Sequence, residues 1–286
     1  MNKADIFQRI QGGQSFANCA MPRVDFSSTP IEGADFRNSD LTAANFSHCN
    51  VSGAKFQGSN LAAADFSHAK IAGASMIIAK IKDARIGNVV HTVFRKATAA
   101  GANFSHAGFE KADMVDFDCS RSNFAGATLR GCELGRAQLT GCKFLNNEIV
   151  DCDFSGAFAS AAVMARGAIS GSAFNQVDLS DAQVTNMEFV RCSFVNAQLQ
   201  RAKFERCRFT DCQFDDSDAP GVFFDACRLT GTSFTRSRLE NSVWKQCVFD
   251  TVGFSQAVLG ASQFSGSIRG IFFSGADTSR CTFVGE

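Results

Sequence analysis

The chain has 286 residues, with 28 Lys plus Arg balanced by 28 Asp plus Glu. Zero net charge excludes a global field that would steer the protein onto nucleic acid or an anionic membrane, so neither direct nucleic-acid binding nor membrane association is expected. No apolar run reaches the roughly 18 residues of a membrane span, and the opening "MNKADIFQRIQGG" is too short and polar for a signal peptide, which predicts a bacterial, cytoplasmic setting.

Residues 1–13 read as the one convincing helix. Asn2 caps it, Asp5 stands three places on, Ile6, Phe7 and Ile10 share a face, and Gly12-Gly13 stop it. A stack of strands exposes its core at each end, so this apolar face is expected to lid the first coil of whatever follows.

From Phe16 onward a large apolar residue returns every fifth position, with a small residue two places before it. Centres run in one register from Phe16 to Ile86, in a second from Phe94 to Phe264 and in a third from Ile268 to Phe283. Of these 54 centres, 49 are Phe, Leu, Ile, Val, Met or Trp, the exceptions being Ala99, Cys119, Ala159, Ala219 and Thr278. Neither a helix nor an ordinary strand repeats at five, so the period marks units that bury nothing alone and must stack. In the first register every second centre from 16 to 66 is Phe and those between are aliphatic. That alternation puts rings on one pair of opposite sides and aliphatics on the other, and it assigns the Phe content to core packing.

The words "GADF" at 33–36, "AADF" at 63–66, "GANF" at 101–104 and "GADT" at 275–278 resemble the A(D/N)LXX motif of the pentapeptide-repeat family. The resemblance implies an all-β fold, a right-handed quadrilateral β-helix with one pentapeptide per side and four per coil, here preceded by a short α-helical cap. The expected organisation is a helical cap over 1–13 and one elongated β-helix over 14–286, with register breaks near 87–93 and 265–268.

Eleven of the 12 cysteines, from Cys19 to Cys281, fall on the small inward position, and Cys119 is a centre. This phase reads as small buried hydrophobes in place of disulfides or zinc ligands, which suits a reducing compartment.

Outward apolar residues are the candidate binding features. At the first break Ile77, Ile78, Val89, Val90 and Val93 stand where polar residues occur elsewhere, either as an exposed patch or tucked inward to repair a deletion. Farther on, Phe223 and Val243 each precede a centre one coil apart, so they are expected to stack on one side; Arg228 and Val248 do the same on the next. Phe158 and Val163 also break the polar rule. No lid is seen after the last repeat, so Phe272 and Phe283 lie near an open end that pairs with a second copy, giving a homodimer, binds a partner, or frays.

Catalytic motifs are missing: there is no GxSxG, P-loop or HExxH, and an Asp or Asn before a centre is a letter of the repeat. An enzyme is not expected, and no cofactor. His48, His68, Asn88 and His106 form a ladder on one side whose rungs run parallel and do not converge on a metal, while Glu188, Arg208 and Arg228 read as charge compensation along a sheet. A non-enzymatic interaction scaffold with a protein partner remains. The opening "IQGGQSFANCAMPRVDF" is similar to pentapeptide proteins associated with type VI secretion, implying an adaptor or effector-loading role. The alternative, a DNA mimic that protects gyrase, needs an acidic stripe, and Asp215, Asp216 and Asp218 are the one dense acidic cluster.

Overall fold

Five residues per side and four sides per coil set each residue beneath the one twenty places on. The computed structural model describes residues 3–66, 69, 71, 74–76, 85–86, 89–268 and 270–285, with backbone alone at 3, 85–86 and 89–90. They belong to two compact units, Met1–Leu139 and Thr140–Glu286, each a parallel β-solenoid of short strands and bridges. The first unit opens with the short helix α1, Lys3–Gln11. In unit 1 the pairs Asp35↔Lys55 and Asn103↔Asn123 show the twenty-residue step, and in unit 2 Asp153↔Ala173 and Gln183↔Lys203 repeat it.

The backbone polar groups are satisfied between coils. The Phe36 N–H donates to the Lys55 carbonyl at 2.8 Å, and the Lys55 N–H donates back to the Ala34 carbonyl at 2.9 Å. Corners are tight turns in which the residue two places after a centre takes positive φ, as Ala43 does at 54° while the Ala44 N–H donates to the Leu41 carbonyl at 3.0 Å. Polar and charged side chains occupy this corner repeatedly, among them Asn38, Arg136, Asp181 and Arg236 at φ 56–58°, at a conformational cost of about 1–2 kcal/mol each that the ladders on either side offset.

Two letters of the repeat acquire a hydrogen-bonding reason. The Asp or Asn before a centre accepts the N–H of the residue after it, at 2.9 Å from Ser27 to Asp25 and 3.0 Å from Ser47 to Asn45, which is the local turn these side chains favour. Ser, Thr or Cys at the small inward position donates to the carbonyl of a centre in the preceding coil, at 2.6 Å from Ser39 to Phe16 and 3.4 Å from Cys207 to Val184. Cysteine is thus a buried donor as well as a small apolar filler. All 12 cysteines are free thiols, Cys19 and Cys281 half-buried and the rest buried.

Rings fill the core as the alternation predicts. In unit 1 Phe26, Phe46 and Phe66 stack at 4.9 and 4.7 Å and meet the Phe16, Phe36 and Phe56 stack edge-on at 5.3 to 5.8 Å. In unit 2 Phe154, Phe174, Phe194 and Phe214 form a column at 4.6, 4.9 and 4.5 Å. Such pairs contribute about 0.5–1.5 kcal/mol each beyond their buried area. Where centres shrink to Ala99 and Cys119, volume returns from the small site: Phe117 is fully buried, 5.2 Å from Phe94.

The helix departs from expectation at Phe7. Ile6 is completely buried and Ile10 half-buried, but Phe7 is 45% exposed, because one residue turns the helix by about 100° and takes its ring off the docking face. Arg9 does what Phe7 was expected to do. Its guanidinium donates to the Ser15 carbonyl at 2.6 Å, reaches the Cys19 Sγ at 3.4 Å and lies 5.1 Å from the centre of the Phe16 ring. The C-terminus is a Schellman motif, with Gln14 N–H to Arg9 carbonyl and Gly13 N–H to Ile10 carbonyl, both 2.9 Å, and Gly13 at φ +64°. Asn2, the expected cap, lies outside the described residues.

Among the described residues, register slips occur at two places. Phe66↔Ile86 keeps the twenty-residue step, whereas Ser75↔Val93 spans eighteen. Near the C-terminus the step falls to nineteen, with Trp244↔Phe264 followed by Cys247↔Gly266. Gly266, at φ +113°, passes so near the Cys247 backbone that a Cβ would strike its carbonyl oxygen, so the deletion is absorbed by the one residue without a side chain.

Removing a ring from a column this narrow leaves a cavity. Phe204→Ala, which deletes a ring 4.8 Å from Phe224, is expected to cost about 3–5 kcal/mol in urea unfolding, against about 1 kcal/mol for Cys207→Ala. The hydrogen bond with Cys227 and burial push the Cys207 thiol well above its ordinary range, and Cys227 is pushed up to about 12. A thiol-selective reagent should therefore label at most Cys19 and Cys281 in the folded chain and all 12 after denaturation; fast labelling of further thiols at native circular dichroism would contradict this.

Candidate interaction face

In unit 2 the strands Lys203–Glu205, Phe223–Asp225 and the start of Val243–Asp250 lie one above another in register. Strand alternation sends the middle residues inward, where Phe224 and Trp244 stack at 4.2 Å, and the leading residues outward. Lys203, Phe223 and Val243 thus form one outward column, Phe223 and Val243 half-buried. On the next side Glu188, Arg208, Arg228 and Val248 form another, Val248 being 36% exposed. Phe223 over Val243 on one side, and Val248 on the next side of the strand Val243–Asp250, make up an apolar strip that spans two sides and two coils.

Charge around the strip is uneven. The stacked segments 203–208, 223–228 and 243–248 hold five Lys or Arg and two Asp or Glu. Lys245 pairs with Asp225 at 3.3 Å, Arg206 with Glu205 at 3.7 Å and Arg208 with Glu188 at 3.3 Å. Among the described residues, Lys203 and Arg228 have no carboxylate within ion-pair distance. Arg228, expected to share in a Glu188–Arg208–Arg228 compensation ladder, stands in register with Arg208 but outside its ion pair.

Other sequence candidates fall elsewhere. Ile77 and Ile78 lie outside the described residues, as do His68 and Asn88. Val89 is a correction: its backbone pairs with Phe109, a buried centre, so the second register begins at Val89 and the deletion lies between Ile86 and Val89. Val90 pairs with Glu110 and keeps an outward register. Phe272 is 58% exposed and pairs with Gly253, on a different side from the strip. The Phe273 ring beside it stacks on Phe254 at 5.5 Å, and Phe283 stacks on Phe264 at 5.1 Å. His48 and His106 both occupy the positive-φ corner, and no group of three metal-ligating side chains is found among the described residues.

The acidic cluster is compensated from the coil above. Asp216 meets Arg236 at 2.6 Å and Asp218 meets Arg238 at 3.3 Å, while Asp215 accepts the Ser233 hydroxyl at 2.5 Å and the Thr235 N–H at 3.0 Å. The Arg236 hydrogen bond holds the Asp216 carboxyl below the usual carboxylate range, as Arg201 does for Asp181 and Arg136 for Asp116. Sequence reading applied the twenty-residue spacing to Glu188, Arg208 and Arg228 but not to this cluster, where the same spacing places Arg236 over Asp216 and Arg238 over Asp218.

Comparison with known proteins gives two family matches. The pentapeptide-repeat family (8 copies) matches residues 23–58, 44–83 and 118–156, and the SV2A/B/C luminal domain family matches residues 168–254, which contain the strip. No curated protein matches the chain. Among solved structures, HetL, a pentapeptide repeat protein involved in heterocyst differentiation regulation in the cyanobacterium Nostoc, is 14% identical over 99% of this chain and 94% of its own, with a TM-score of 0.23. QnrB1, a plasmid-mediated fluoroquinolone resistance protein, is 17% identical over 60% of this chain and 91% of its own, with a TM-score of 0.30. A pentapeptide repeat protein of the Arabidopsis thaliana thylakoid lumen is 22% identical over 46% and 70%, with a TM-score of 0.14.

Carboxyls held down in the folded state contribute stability above their unfolded value of about 3.9 and lose it as pH falls through the native values. Carbonyl NMR titration of Asp216 should show a native midpoint below that value, and Arg236→Gln should raise it. An unmoved midpoint would show that the pair does not form in solution.

Proposed function

Because the chain is a pentapeptide-repeat protein, we propose that it is a non-enzymatic scaffold that binds a protein partner through the strip of Phe223, Val243 and Val248. The observation that carries this reading is the in-register stacking of Phe223 and Val243, with Val248 outward on the next side of the same coil, at positions that are mostly polar elsewhere in the repeats. Apolar anchors of this kind supply most of an interface's energy once desolvated. Its finer form is an adaptor or effector-loading component of bacterial type VI secretion acting in the cytoplasm, a reading that rests on the segment "IQGGQSFANCAMPRVDF".

Gyrase protection by DNA mimicry is the less favoured reading. A mimic presents unneutralised carboxylates, whereas Asp216 and Asp218 are each bound to an Arg of the same protein. Capture from native extract separates the two. Phe223→Asp with Val243→Asp should reduce partner recovery about tenfold or more with unchanged circular dichroism, while Asp215→Asn, Asp216→Asn and Asp218→Asn together should leave it intact. Binding that survives the first variant and disappears with the second would replace this reading with an electrostatic one.

A further inference from the structure

We infer that the partner segment seated on this strip is an acidic peptide with apolar anchors. The inference rests on the scaffold reading above and adds the chemistry of the occupant.

The strip is bordered by positive charge on both of its columns. Lys203 is the register neighbour of Phe223, and Arg228 that of Val248, so each apolar column runs directly into a cation one coil away. The remaining cations of the patch, Arg206, Arg208 and Lys245, already have carboxylate partners at 3.3 to 3.7 Å. Lys203 and Arg228 do not, and a carboxylate from outside can pair with them without displacing an existing partner.

A segment that covered the strip with apolar side chains would also shield these two cations from water. Leaving them unpaired under a bound segment carries a desolvation cost, whereas a carboxylate at each position offsets it and raises the association rate. A basic or neutral segment is disfavoured for the same reason. A nucleic-acid backbone could satisfy the two cations, but it would leave Val243 and Val248 against phosphate and sugar with no apolar counterpart. The geometry therefore favours a protein segment over a polyanion.

Selection of short random peptides displayed on phage against the immobilised full-length chain tests this. The expected result is enrichment of peptides that combine at least two apolar residues with a net negative charge. Fluorescence anisotropy of the recovered peptides should show binding weakened about tenfold or more by Lys203→Glu with Arg228→Glu, and by a smaller factor in the milder Lys203→Gln with Arg228→Gln. Failure to enrich any peptide, or enrichment of neutral or basic ones, would overturn the proposal. So would peptides that lose binding with Phe223→Asp and Val243→Asp but ignore charge reversal, an outcome that leaves the scaffold reading standing. Displacement of the peptides by a random-sequence DNA duplex, acting through the same two cations, would overturn it in favour of a polyanion surface.

Discussion

Every other property of this molecule depends on the hydrogen bonds that run from each coil to the next. With the strand N–H and carbonyl groups of a side committed to residues nineteen or twenty-one places away, as at Phe36, Lys55 and Ala34, a pentapeptide has almost no freedom to choose its neighbours. Equivalent positions must stack, and a side chain interacts chiefly with its counterparts above and below. Columns of like residues follow: rings over rings at Phe154 to Phe214, small donors under centre carbonyls, and outward residues over outward residues. Errors in volume are corrected within the coil, as Phe117 corrects for Cys119.

The same restriction governs the outer surface. Charges on one column meet partners one coil away, which is why Asp216 is neutralised by Arg236 and Asp181 by Arg201 although each pair is distant in sequence. Exposed ion pairs like these contribute little to stability. Their effect is to cancel charge that the sequence displays, leaving Lys203 and Arg228 as the cations beside the apolar strip with no carboxylate in reach among the described residues.

The fold was legible because its signal is periodic and redundant: the five-residue recurrence of centres survives substitutions at Ala99, Cys119 and Ala159. What was not legible depends on single geometric facts. Phe7 and Ile10 both look like lid residues, and only the orientation of α1 shows that Arg9 clasps the first coil while Phe7 faces water. Val89 falls on the small inward position when counted on from Ile86 and on a centre when counted back from Phe94, so neither count sends it outward, and the backbone pairing with Phe109 selects the second register. The strip itself could be foreseen from Phe223 and Val243, since phase alone sends both outward. The ionic state of its borders could not, because it turns on which carboxylates reach which cations.

The core also makes the second unit optically distinct. The chain has one Trp and no Tyr, and Trp244 is fully buried between Phe224 at 4.2 Å and Phe264 at 5.6 Å, its indole N–H donating to the Ser242 hydroxyl at 2.8 Å. Long-wavelength fluorescence consequently arises from a single dry site in the unit of Thr140–Glu286 and carries no signal from Met1–Leu139. Backbone dichroism samples both units. The molecule thus has a built-in means of distinguishing loss of order in one unit from loss of order in the whole, without an added label.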